Sequence, residues 1–169
     1  MTDNLKEPGI ISDANVLIDY AKSTPNILKL VSKHVQQLYV ATPVLREVAQ
    51  LEFKDIEKLG IEVVEPKLSQ IIEAAQIKQD NPSLSGQDAI CFIIARDSRW
   101  VCLTNDKLLR TICSSHGISC VWGLEIMLRL VSTETLSAEK AYKIALDIQS
   151  QNHYITTKTL QDFKKKLGI

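Results

Sequence analysis

Four acidic side chains in this chain stand where carboxylates can converge and hold a cation. They are Asp13 in Gly9-Ile10-Ile11-Ser12-Asp13, Glu47 in Thr42-Pro43-Val44-Leu45-Arg46-Glu47, Asp88 in Leu84-Ser85-Gly86-Gln87-Asp88, and Asp106 in Val101-Cys102-Leu103-Thr104-Asn105-Asp106. Asp13 and Asp106 follow strand-like apolar runs, and Glu47 and Asp88 fall in the first turns of predicted helices. A parallel α/β fold brings all such positions to one edge of its sheet. Gathered there, they repel: at roughly 5 Å and an effective dielectric of about 20, each pair costs about 3 kcal/mol. A bound hard cation such as Mg2+ or Mn2+ is the chemical remedy.

The elements that must position these acids are legible in the periodicity. Strands are predicted over 9–13, 38–42, 61–64, 100–103 and 118–121. Helices are predicted over 15–22, 24–33, 53–59, 68–79, 85–96 and 107–113, with another opening at Thr42-Pro43, where Val44, Val48 and Leu51 share a face. Pro25 stands at a first helical position, Gly60 closes the helix from Phe53, and Ile90, Ile93 and Ile94 mark the apolar side of the helix from Ser85. Alternation of strand and helix implies a parallel sheet with helices on both faces. From Gly123 onward only helices are predicted, over 124–131, 137–148 and 156–167. Leu160, Phe163 and Leu167 form an apolar stripe on the last one, for packing on this chain's own body or for docking a second copy or another protein.

Composition narrows the function classes. The chain has 169 residues, 45% hydrophobic and 24% charged, with a formal net charge of zero; that suits one globular domain with no global field for nucleic acid. No apolar run approaches the roughly 20 residues of a membrane span. Met1–Glu7 lacks the basic-then-apolar pattern of a signal peptide, so a cytoplasmic protein is expected. The four cysteines, at 91, 102, 113 and 120, have no CxxC spacing. They read as small core residues in a reducing compartment, not as zinc ligands or disulfides. His34, His116 and His153 are scattered and suggest surface roles. A glycine-rich dinucleotide turn is missing after the first strand. A haloacid-dehalogenase-type phosphatase needs Asp-x-Asp, and this chain has Asp13-Ala14-Asn15.

Each acid also has a structural reading. Asp13 and Asp106 can cap helices, Ser85 and Asp88 can form a capping box, and Glu47 can be a solvated helix residue. Asp55, Asp80 and Asp97 lack the strand-end context and read as solvated.

Taken in order, Ile11-Ser12-Asp13-Ala14-Asn15, Pro43-Val44-Leu45-Arg46-Glu47-Val48, Leu84-Ser85-Gly86-Gln87-Asp88-Ala89 and Leu103-Thr104-Asn105-Asp106-Lys107-Leu108 resemble the motifs of PIN-domain proteins of the VapC-type toxin kind. The resemblance covers about residues 9–121. It implies a three-layer α/β/α fold around a parallel sheet of four to five strands, in a domain over 9–131 with a helical C-terminal extension, 132–169, packed on it. It implies a Mg2+- or Mn2+-dependent ribonuclease with Asp13, Glu47, Asp88 and Asp106 as metal ligands and catalytic residues, and Asn15, Thr104 and Asn105 as supporting polar groups. Water attack would leave a 5′-phosphate and a 3′-hydroxyl. The implied partners are RNA, an antitoxin protein and a second copy in a homodimer. Arg46, Lys107 and Arg110 are the candidate phosphate contacts, and Lys164-Lys165-Lys166 is a basic run open to RNA or a partner. The rival reading is a catalytically silent module of the same fold that binds RNA or protein.

Overall fold

The computed structural model describes residues 8–169; the expectation about Met1–Glu7 lies outside them. The strands are β1 (Ile10–Ser12), β2 (Leu38–Ala41), β3 (Glu62–Val64), β4 (Val101–Leu103) and β5 (Cys120–Val121). The helices are α1 (Ala14–Lys22), α2 (Asn26–His34), α3 (Thr42–Leu45), α4 (Phe53–Lys58), α5 (Leu68–Asp80), α6 (Gly86–Ser98), α7 (Lys107–Ser115), α8 (Ile126–Ser132), α9 (Ala138–Gln151) and α10 (Thr157–Leu167). The strands form one all-parallel sheet in the order β3-β2-β1-β4-β5.

That order decides where the helices go. The chain moves outward one way through β1, β2 and β3, then crosses back to β4 and β5 on the other side. Right-handed crossovers in opposite directions put their helices on opposite faces. The connections through α1–α4 therefore cover one face, and α5, α6 and α7 cover the other, giving the three-layer α/β/α arrangement of the PIN-like fold. The order reverses between β1 and β4, so their C-terminal ends open a crevice there.

β1 is buried along its whole length at the centre of the sheet, which is why its sequence is a plain apolar run without alternation. Before it, Gly9 passes under a stacked pair of rings, Tyr39 and Trp100, with centroids 3.8 Å apart. A Cβ at Gly9 would lie 2.4 Å from Tyr39 Cε2, so only glycine lets the two neighbouring strands share this lid.

Two predicted elements differ from what the molecule builds. The helix from Thr42 is a single turn. Glu47 N and Val48 N donate to Val44 O and Leu45 O, three residues back, so the helix tightens and ends, and Glu47 sits in the turn that follows. Val44, Val48 and Leu51 are still buried together, so the apolar period reported a packed face and not a continuous helix. α6 was expected to have one apolar side, yet Ala89–Ala95 is buried without interruption. It is sandwiched between the sheet strands β1 and β4 and the outer helix α5, so every side of it finds a neighbour.

Beyond β5, α8 packs on α2, α9 on α1 and α8, and α10 on α8 and α9. Leu160 and Phe163 of α10 are buried in the common core, with Leu167 partly so. The stripe on the last helix is thus used within the chain. One buried polar bond ties this region together: Tyr20 of α1, 1% exposed, donates its hydroxyl to Gly123 O at 2.6 Å.

Removing that donor leaves a buried carbonyl without its partner. Tyr20→Phe is expected to lower the unfolding free energy by about 1–2 kcal/mol, read as a lower urea midpoint with an unchanged slope.

Candidate active site

Asp13 stands at the C-terminal end of β1 and is the N-cap of α1. Its backbone N–H donates to Leu103 O at 3.1 Å, extending the β1–β4 pairing by one step. Its Oδ1 accepts from Val16 N at 2.9 Å, and its Oδ2 accepts from the Thr104 hydroxyl at 2.5 Å. The residue is 2% exposed. Burial pushes its pKa up from 3.8 to about 6; the bonds from Thr104 and Val16 work against that, and the charges of Asp88 and Asp106 add to it.

Asp106 mirrors this arrangement one strand over. It is the N-cap of α7, its Oδ1 accepts from Leu109 N at 2.7 Å, and its own N–H donates to Thr104 Oγ1 at 3.0 Å. Thr104 therefore links both acids through one buried hydroxyl. Asp88 lies in the first turn of α6, where Ser85 Oγ accepts from its backbone N–H at 3.0 Å. Its pKa is raised, first by burial and then, against the Ser85 bond, by Asp106 and Glu47. Glu47 is exposed in the turn after α3. The fold thus brings the four acids of the motifs into one electrostatic neighbourhood, three of them at helix N-termini whose partial positive charge offsets some of the repulsion. It is an open set: among the described residues, no three carboxylates bring an oxygen each within 4.8 Å of one another.

The polar neighbours divide into those that brace the site and those that face solvent. Asn105 Oδ1 accepts from Gly123 N at 2.8 Å. Gly123 also takes the Tyr20 hydroxyl, so it joins β5, α1 and the loop before Asp106. A Cβ on Gly123 would lie 2.9 Å from Asn105 Nδ2 and 3.2 Å from Val16 Cγ2. Sequence reasoning passed over Tyr20 and Gly123, which lie 103 positions apart; a tryptophan–glycine pair just after the last strand was the one local signal. Asn15, Arg46 and Lys107 are exposed. Arg110 is committed to the scaffold: its guanidinium sits 3.7 Å over the Trp122 ring, with Nη1 3.4 Å from Thr104 O. In the basic run, Lys166 pairs with Glu125 and Lys164 lies 5.3 Å from the Tyr142 ring centroid. The three histidines are exposed.

A family model described as the PIN domain matches residues 9–168. The chain belongs to the PIN-domain family. The match takes in the C-terminal helices along with the sheet and names no VapC-type subgroup. No curated protein matches the chain. PIN domains are generally nucleases, and they typically bind divalent metals. The donor set here fits such an ion: the clustered acids offer only hard carboxylate oxygens, and among the described residues none of the four is in a salt bridge. No described helix is long and apolar enough to cross a membrane.

Because Asp13 is harder to ionise folded than unfolded, its protonated form favours the native state. Stability is therefore lost as pH rises from about 4 through about 6, and the full cost of roughly 3 kcal/mol persists above that. Asp13→Asn is expected to stabilise the metal-free chain at pH 8 by up to that amount and to change little near pH 4, measured by denaturant unfolding in EDTA. Mn2+ should stabilise the unsubstituted chain at pH 8 and leave the variant unmoved.

Proposed function

We propose that this PIN-domain protein is a Mg2+- or Mn2+-dependent endoribonuclease that hydrolyses RNA phosphodiester bonds. What carries the reading is the convergence of Asp13, Glu47, Asp88 and Asp106 at the sheet's switch point, with Asp13 buried deeply enough to raise its pKa to about 6. A carboxylate kept in so costly a place, braced by two donors, is a functional-site signature.

In this reading the four acids would hold the ion. The ion supplies neutralisation of the phosphate charge and activation of a water. The chain's own groups do the positioning. Val16 N and the Thr104 hydroxyl each occupy one lone pair of the Asp13 carboxylate, which leaves a second on each oxygen for a ligand. Asp106 is anchored through Oδ1 in the same manner, so Oδ2 stays available. Arg46 and Lys107, exposed beside Glu47 and Asp106, contact the phosphates of the bound strand. Arg110 keeps Trp122 and the Thr104 carbonyl in place, so its role is to position. No histidine serves as general base, since all three lie exposed outside the acidic cluster. Hydrolysis by water leaves a 5′-phosphate and a 3′-hydroxyl. An antitoxin, a second copy in a homodimer and a toxin role belong to the proposal on the strength of the resemblance to VapC-type proteins, as does the cytoplasm as its place of action.

Cleavage of a labelled structured RNA by the purified chain should require Mn2+ or Mg2+ and stop in EDTA. Asp13→Asn and Asp88→Asn should abolish it while remaining folded. Thr104→Val should reduce activity roughly 10–100-fold, the range found when an outer partner of a metal ligand is removed. Absence of cutting across several RNAs, with no calorimetric binding of either ion, would sink the nuclease reading in favour of a silent RNA- or protein-binding module.

A further inference from the structure

Three of the four cysteines, expected to be small core residues and not zinc ligands, bring their sulfurs together. Cys102 is the middle residue of β4, Cys113 lies near the end of α7, and Cys120 opens β5. Cys102 and Cys120 are register partners on adjacent parallel strands. The three Sγ atoms lie within 4.8 Å of one another, and all are free thiols. Apolar packing alone gives no reason for three elements to aim their sulfurs at each other. Cys102 and Cys113 are buried, whereas Cys120 reaches an open groove of about 670 Å³ lined also by Arg110, Thr111, Ser114 and Ser119. An ion thus has a way in from one side only.

We propose that Cys102, Cys113 and Cys120 form a trithiolate site for a thiophilic cation, Zn2+ first among them, distinct from the carboxylate centre. Thiolate sulfur selects soft and borderline ions, whereas the acids select Mg2+ or Mn2+. Tetrahedral zinc with Zn–S bonds of about 2.3 Å sets its sulfurs about 3.8 Å apart, so a closing movement of about 1 Å or less completes the site. The fourth position faces the groove and takes a water. Hydrogen bonding within the cluster pulls the Cys120 thiol down and, with burial, holds the Cys102 and Cys113 thiols up; one sulfur is therefore ready as thiolate, and the other two give up their protons as the ion binds. The ion would cross-link β4, α7 and β5, the three elements that carry Thr104, Asp106 and the approach to Gly123. It would act there as a structural clamp, and the inference does not depend on the nuclease reading.

The reduced full chain, titrated with Cd2+ or Co2+ in excess Mg2+, should develop sulfur-to-metal charge-transfer absorption that saturates at one ion per chain. Cys120→Ser should lose the band, and Cys91→Ala should keep it, because Cys91 lies outside the cluster with its Sγ 3.6 Å from Ser12 O. Zn2+ should raise the melting temperature of the unsubstituted chain. X-ray absorption at the zinc edge of that same chain should report three sulfur neighbours, a readout that needs no variant to fold. A missing band, a band that survives Cys120→Ser, or a zinc shell of oxygen and nitrogen alone would overturn the proposal.

Discussion

Asp13 has to be buried and able to carry a charge, and much of the molecule is arranged around that conflict. Desolvation disfavours its ionised form, and nearby carboxylates make matters worse. The protein answers with donors in place of countercharges. The α1 N-terminus supplies Val16 N, and the Thr104 hydroxyl supplies the second bond, from the strand next door. Both donors are fixed by main-chain structure, so the carboxyl's orientation is set by the pairing of β1 with β4.

The rest of the fold keeps this arrangement stiff. α6 is buried on every side, so its first turn, with Asp88, has little freedom to swing. The C-terminal helices close over α1 and α2, and Tyr20 reaches from α1 to Gly123 to hold the end of β5 against the site. Gly123 in turn holds Asn105, whose neighbours Thr104 and Asp106 belong to the acidic cluster. The site is therefore over-determined from behind, while Glu47, Arg46 and Lys107 are left on its open side.

α7 joins two chemically opposite neighbourhoods. Its N-terminus is capped by Asp106 among hard oxygen donors, and near its other end Cys113 lies among soft sulfurs. The two donor sets differ in softness, and the ions proposed for them differ accordingly. The two clusters share a strand as well, since Cys102 lies in β4 two residues before Thr104.

By itself, the sequence determined the alternation of strands and helices, because apolar periodicity is a local property that each segment carries alone. It also singled out Asp13 and Asp106 as acids that follow buried strands, and the ordered motifs added Glu47, Asp88 and Thr104; the fold places these acids in one electrostatic neighbourhood. Where local pattern and packing diverge, it misled: the shared face of Val44, Val48 and Leu51 looked like a long helix, and tertiary burial is satisfied by a single turn and a bend. Arg110 looked free for substrate because its partner, Trp122, comes from another element. The Tyr20–Gly123 bond and the meeting of Cys102, Cys113 and Cys120 were settled only by the tertiary structure. Their partners lie on separate elements at separations with no fixed period, and only the strand order β3-β2-β1-β4-β5 and its crossovers bring them face to face.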